Sequence, residues 1–486
     1  MTARRDAGID AVRAIAIAGV VLGHWLVTAL VLGDDGALHV NSPLAALPAL
    51  QPVSWLFQTL GLFFLAGGYA AAASAARPRP APAAGVGAPV RWRLPRRLRV
   101  LAVPVAALLG LLGLALTAGA LAGVPEATLR TVGKLVLSPL WFLLPFLVLT
   151  ALVGPIARLV RRCGPVPLVV AAAAVVLAAD LGYGFLPTTL VAAWSVPFVL
   201  GVALASGRLA GRRTGWALLA GGALAVVALV MFAGYPASAV GVPGAGRSNL
   251  DPPSLAALAL AFAQTGAVVL LLPWLRRVGT WRPVRALNAA ALPVYLWHQA
   301  TMISVTVAVA WLGGRLPGLL AAPDGYAWAA ARFAWLPLFA AALVLVVRLA
   351  TMAPDRGADR GQPRRVAALG AVAWLSAMAA DRGRLLRLAA LALVAWLAAV
   401  GSGARATTSR LPRPATAAAS VAERPAGGRP RRPYRTVPGQ PSGLWHGGGG
   451  HRIESRMVRV PGRRMEVIAV RDSDPPSRSR AAVRSR

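Results

Sequence analysis

Ten apolar runs, most of them 18 residues or longer, constrain this chain more than any other feature. They fall near 11–32, 53–76, 100–122, 135–153, 166–181, 188–206, 214–233, 254–274, 288–312 and 333–351. A helix needs about 20 apolar residues to cross a bilayer, so the pattern predicts an all-α polytopic membrane protein with about ten transmembrane helices in its core. The fifth run is short and is expected to be tilted or half-buried. Composition agrees: 57% of the residues are hydrophobic and 14% charged, against about 25% charged in soluble domains. The first run is too long for the core of a secretory signal and lacks a small-x-small cleavage site after it, so an uncleaved first helix is expected.

Charge supplies the orientation. The net charge of +35 points away from nucleic acid once its placement is considered. Arg4 and Arg5, seven arginines from Arg77 to Arg99, and the groups around Arg158, Arg208, Arg276 and Arg348 all fall in alternate loops. The opposite loops hold only Arg130, Lys134, Arg247, Arg315 and Arg332. This alternation predicts a plasma-membrane protein with a cytoplasmic N-terminus and both ends of the ten-helix core inside. Cys163 is the sole cysteine, which excludes an internal disulfide and a cysteine metal cluster.

Three regions are expected: a membrane domain over 6–352, a linker over 353–403 with one or two additional apolar helices, and a tail over 404–486. The tail is rich in Arg and Pro and is expected to be disordered and basic, suited to weak contact with anionic headgroups. Whether the linker crosses once or forms a hairpin is left open, and with it the side of the tail.

Ionisable residues within the spans are costly and mark functional pathways. Arg13 and His24 both lie in the first run. Eleven residues bring a helix round to within roughly 20° of its starting face, about 16 Å further along. This predicts Arg13 near the membrane surface and His24 near mid-depth on one stripe, with Asp10 able to pair with Arg13 or to cap the helix. His298 is the other histidine inside a span and can meet His24 across the bundle.

Other segments share this order along the chain. Leu62-Phe63-Phe64-Leu65-Ala66-Gly67-Gly68-Tyr69 closes the second run. Arg96-Arg97-Leu98-Arg99 follows, then Leu140-Trp141-Phe142-Leu143. Ser248-Asn249-Leu250-Asp251-Pro252-Pro253-Ser254 sits between runs, and Tyr295-Leu296-Trp297-His298-Gln299 lies in the ninth. Together with the Arg-x10-His spacing, these resemble the acyltransferase 3 family of integral-membrane O-acyltransferases over about residues 6–352. One departure is the sixth run, Trp194 to Gly201, which has no histidine where close relatives often carry one.

The resemblance implies transfer of an acyl group, often acetyl, from acyl-CoA to a hydroxyl of a sugar, glycolipid, surface glycan or natural product. Residue chemistry is compatible. A histidine can take the alcohol proton, cations can hold CoA phosphates, and donors can steady the oxyanion. The expected catalytic set is His24, Arg13 and His298. Arg96, Arg97 and Arg99 are expected at the acyl-CoA, and Asn249, Asp251 and Trp297 at the acceptor. Each has a plainer reading: a packed histidine, a snorkelling anchor, topology charges, a proline-fixed turn, an interfacial tryptophan. No metal site is expected. The P-loop spacing and the Gly-x-Ser-x-Gly elbow do not occur, which favours direct transfer over a covalent acyl-enzyme. The alternatives are a secondary transporter or flippase, for which no internal repeat of the Arg-x10-His pattern speaks, and a non-catalytic scaffold.

Overall fold

The computed structural model describes residues 6–76, 94–311, 316–352, 454–457 and 467–470. The membrane domain is helical. In chain order it comprises α1 (Ala7–Val27), a hairpin of β1 (Ala29–Leu32) and β2 (Leu38–Asn41), the short α2 (Pro43–Ala46) and α3 (Ser54–Phe57), α4 (Leu60–Ala75), α5 (Leu94–Leu121), α6 (Glu126–Leu137), α7 (Leu143–Ala151), α8 (Val153–Cys163), α9 (Val166–Asp180), α10 (Leu186–Ala205), α11 (Arg212–Phe232), α12 (Leu255–Val278), α13 (Arg282–Ala289), α14 (Ala291–Trp311) and α15 (Tyr326–Met352). Among the described residues nine helices are long and apolar enough to cross a membrane; α8 and α9, bent by 117° at their junction, make a tenth if they count as one span. The expected count holds, and the irregular member is the one the sequence marked as short.

The first run needs a correction. It was expected as one span from 11 to 32, but α1 begins at Ala7 and stops at Val27. Thr28 turns extended, and β1 then pairs antiparallel with β2. Two local signals drive this. Val27, Thr28 and Val31 are β-branched and favour the extended chain, and Asp35-Gly36 supplies the turn, with Gly36 at φ 71° and Asp35 Oδ1 accepting the Ala37 amide at 3.0 Å. His24 therefore lies in the last turn of α1 rather than midway along a longer helix.

α1 is the central element. It packs on α12, α4, α14, α13, α3 and α15. Its first half, through Ile9, Ala11 and Val12, joins a core with Phe64, Leu65, Phe198 and Leu200. Its second half, through Ile17, Val21 and Trp25, joins another with Leu108, Leu296, Met302 and Phe339. Gly279, just past α12, lies so close to the Ala7 carbonyl that a Cβ would collide with it.

Small residues set the close crossing of α4 on α10. A Cβ on Gly68 would lie 2.0 Å from the Phe198 carbonyl oxygen, and one on Gly201 2.0 Å from that of Leu65. Without a hydrophobic drive between helices in lipid, such close backbone approach provides the packing. Gly67 differs: its added Cβ would meet the Phe146 ring.

The linker region 353–403, with its expected extra helices, lies outside the described residues. Two short strands are described in the tail, β3 (Glu454–Met457) and β4 (Val467–Val470), paired antiparallel. That local order was not expected for a segment so rich in Arg and Pro.

Because the obstacle at Gly68 is backbone, Gly68→Ala should lower the thermal stability of the detergent-solubilised protein by about 1–3 kcal/mol. Gly221→Ala, which meets nothing within 4 Å, should leave it unchanged or slightly raised. A thermal unfolding series on the two variants checks this.

Candidate active site

α1 and α14 bring His24 and His298 together: the ring centroids are 5.2 Å apart, at 47°. Two successive side chains of α1 reach two successive residues of α14. Gln299 Nε2 lies 3.2 Å from His24 Nδ1, and Trp25 Nε1 donates to the His298 carbonyl at 3.1 Å. His298 is wholly buried, whereas His24 keeps partial exposure.

The hydrogen bonds define the rings' chemistry. His298 Nδ1 lies 2.6 Å from the Tyr295 carbonyl, which only accepts, so Nδ1 carries the hydrogen. In the neutral ring Nε2 is then a bare lone pair, and it is buried with no hydrogen-bond partner. His24 has the more adaptable neighbour. With the Gln299 amide nitrogen donating, His24 Nδ1 is an acceptor and its hydrogen sits on Nε2. Half a turn of the amide reverses the roles, so that Gln299 Oε1, itself buried and unpartnered, accepts from Nδ1 and frees the Nε2 lone pair. In the second arrangement His24 offers a proton acceptor at Nε2; in the first, Nε2 carries the hydrogen and Nδ1 is taken by the amide.

An aromatic wall continues from this pair. Tyr295 lies 5.7 Å from His298 and 4.5 Å from Phe142. Its hydroxyl donates to the Pro139 carbonyl at 2.6 Å. Pro139 and Phe142 belong to a 3-10 turn, Ser138–Phe142, that interrupts the span between α6 and α7. Irregular backbone at such depth is tolerated where protein groups satisfy it, and Tyr295 does so here. Phe64 then stacks on Trp194 at 5.2 Å, with Trp141 6.0 Å from the same indole. Trp194 is 3% exposed, and its N–H has no acceptor. The Leu-Phe-Phe and Leu-Trp-Phe segments and the Tyr-Leu-Trp-His segment thus meet in one wall.

The remaining expected residues are distributed more widely. Arg13 and Asp10 lie in the first two turns of α1, both half-buried. Arg13 is about 16 Å below His24 along the axis. The Asp10 carbonyl accepts from Asn288 of α13 at 2.6 Å. Arg96, Arg97 and Arg99 fall in the opening turns of α5. Trp297, although beside His298 in sequence, is half-buried against the core of α1's second half. Asn249 is fully buried, and its amide is spent internally: Nδ2 donates to the Pro236 and Ser238 carbonyls, and Oδ1 accepts from Ser254. Asp251 is exposed at the rim of a recess it shares with Arg247 and Ser248. Asp180 lies in the same recess. Its carboxylate accepts from the Tyr235 hydroxyl at 2.7 Å and the Leu255 amide at 3.0 Å, and pairs with Arg247 at 3.5 Å. Burial and then the Asp180 contact push the Tyr235 phenol up to about 12.

Sequence reasoning missed several contributors. Gln299 closes the Tyr-Leu-Trp-His-Gln segment, and nothing in that segment alone singles it out. Arg332 was counted among the loop charges but is 1% exposed, in the second turn of α15, and donates to backbone at the end of α1. This corrects its place in the charge pattern. Asp6, rather than Asp10, caps α1: its Oδ1 accepts the Gly8 amide at 2.9 Å. Arg276 of α12 pairs with Asp6 Oδ2 at 3.0 Å, and the Tyr69 hydroxyl of α4 donates to the same oxygen at 3.3 Å. An acidic residue immediately ahead of an apolar run is a helix-start signal that pointed to Asp6.

A family profile described as an acyltransferase domain, of the acyltransferase 3 type, matches residues 6–353. No curated protein and no solved structure matches the chain.

The Asp6 carboxyl is raised by burial but pulled below its ordinary 3.8 by the Arg276 and Gly8 hydrogen bonds and the Arg276 charge. A depressed carboxyl stabilises the fold above the unfolded value and loses that contribution as pH falls through the folded one. Asp6→Ala should therefore cost about 1 kcal/mol near neutrality, and the gap from the parent protein should close as pH drops through the low folded value. Parallel melting curves across pH test this; a gap constant with pH would contradict it.

Proposed function

The chain belongs to the acyltransferase 3 family, and from that premise we propose that it moves an acyl group, acetyl in the simplest case, from acyl-CoA to a hydroxyl of a sugar, glycolipid, surface glycan or natural product. It is a multi-pass membrane acyltransferase. The observation that carries the finer reading is the imidazole pair at the end of α1, held by Gln299 and backed by an aromatic wall.

Transfer needs one proton acceptor and one place for negative charge. His24, partly exposed and next to a reversible amide, is the group that an incoming alcohol can reach. In the proposed step its imidazole takes the hydroxyl proton as the alcohol oxygen attacks the thioester carbonyl carbon. The carbonyl oxygen gathers charge. On its collapse the carbon–sulfur bond breaks, and the thiolate leaves carrying the proton that His24 returns. The products are an ester and free CoA. His298, with its Nδ1 hydrogen fixed on Tyr295, offers its Nε2 lone pair to an N–H or O–H arriving from the His24 side, which orients either the ring or the acceptor alcohol.

Arg13, on the same stripe of α1 but about 16 Å away, suits the far end of a long donor better than the reacting carbonyl. Arg96, Arg97 and Arg99 at the opening of α5 are cations suited to CoA phosphates. In this reading the donor enters at the end of the bundle where α1 begins, and the alternation of loop charges supports a cytoplasmic side for that end. At the acceptor, Asp251 and Trp297 remain the candidates; Asn249 contributes by shaping the loop that carries Asp251.

His24→Ala should abolish acyl transfer from radiolabelled acetyl-CoA in membranes while insertion, measured separately, is retained. His298→Gln keeps a donor and an acceptor but cannot mimic the fixed tautomer, and through loss of orientation it should lower the rate by up to about 10²-fold. Full transfer by His24→Ala would remove His24 as the base.

A further inference from the structure

A buried guanidinium holds the end of α1. Arg332 Nε donates to the Trp25 carbonyl at 2.6 Å, one terminal nitrogen to the Gly318 carbonyl at 2.8 Å, and the other to the Thr28 carbonyl at 2.8 Å and to Met302 Sδ at 3.0 Å. Its carbon lies 4.9 Å from the Phe339 ring centre and 5.6 Å from that of Trp328. It has no carboxylate partner among the described residues; its partners are main-chain oxygens, a thioether and ring faces.

The location explains the partners. The last carbonyls of a helix have no intrahelical donor, and the dipole puts partial negative charge there. α1 ends abruptly because the chain turns extended at Thr28, so the Trp25 and Thr28 carbonyls are left facing the bundle. A planar fork with five donors can serve both and still reach Gly318, whereas an ammonium is a point charge on a flexible stem. Gly318 is shaped for the contact. It adopts φ 81°, and a Cβ there would lie 2.7 Å from the Arg332 amide nitrogen. His24 precedes the first gripped residue, Trp25, whose indole in turn holds the His298 carbonyl. Arg332 is thus bonded to the residues on either side of the helix end that aims His24 at Gln299 and His298.

We propose that Arg332 is a positioning residue for the His24 site: its guanidinium fixes the terminal turn of α1, and with it the direction and reach of the His24 imidazole. The proposal rests on the acyl-transfer reading above for its rate arm, but not for its chemical arm.

The test uses the full chain in membranes, with Arg332→Lys, Arg332→Gln and Arg332→Ala. Insertion is measured first. Acyl transfer from radiolabelled acetyl-CoA is then resolved into kcat and the donor KM. In parallel, carbethoxylation of His24 by diethyl pyrocarbonate is followed by peptide mass spectrometry, which needs no activity. A displacement of the ring by about 1 Å is expected to lower kcat about 10²-fold, with the donor KM little changed. The Arg332→Lys protein should insert yet show this loss, together with a several-fold change in the His24 modification rate. Millimolar guanidinium should restore part of both in Arg332→Ala. The proposal is overturned if Arg332→Lys and Arg332→Gln keep the parent kcat and His24 reactivity. It is equally overturned if even Arg332→Lys fails to insert, because the guanidinium is then a folding element alone. Should the parent protein transfer no label, the acyl-transfer reading fails, while the modification rates still decide the role of Arg332.

Discussion

A helix that ends against an apolar bundle leaves carbonyl oxygens that the helix itself cannot satisfy, and the architecture around α1 is organised by that constraint. Each unsatisfied backbone group in such surroundings costs several kcal/mol. α1 meets the requirement at both ends with side chains from distant elements. Asp6 takes the Gly8 amide at one end while accepting from Arg276 and Tyr69. Arg332 fills the other end from α15. Hydrogen bonds to charged groups contribute about 1.5–3 kcal/mol each when buried, enough for Arg332 to select one docking of α15 among the many that apolar packing alone would allow, whereas the exposed Arg276 contact adds less. The helix bridging both hydrophobic cores is in this way specified at both of its ends.

Much of the fold was legible because lipid imposes a length rule, and the apolar runs obey it. The errors arose where local backbone preference competed with hydropathy. Ala29 to Leu32 is apolar enough to extend the first span, yet β-branched neighbours and the Asp-Gly turn draw it into a hairpin. Hydropathy cannot register that preference, since it scores the same residues alike in helix and strand. Arg332 was misread for a related reason. A lone cation near the end of an apolar run looks like a loop charge, and only the three-dimensional path of the chain shows which carbonyls await it.

The site was partly legible. The Arg-x10-His spacing and the Tyr-Leu-Trp-His segment directed attention to His24 and His298, and α1 and α14 do bring these rings within contact. The hydrogen-bond logic was invisible in one dimension, because it depends on the Tyr295 carbonyl and the Gln299 amide arriving at particular ring atoms. Asn249 illustrates the opposite limit: a polar residue in a proline-fixed loop reads as available for a ligand until its amide is found fully engaged with its own loop.

Under the role proposed for His24, its neighbour has a consequence for repeated turnover. A carboxylate in the place of Gln299 would hold the imidazole as an ion pair once it had gained a hydrogen, and would resist giving it up. With its oxygen turned to Nδ1, the uncharged amide of Gln299 accepts the Nδ1 hydrogen both before and after Nε2 takes a proton, because the charged ring carries a hydrogen on each nitrogen. A neutral acceptor leaves the ring no deep well to escape from, so the proton can be handed back with the amide standing still.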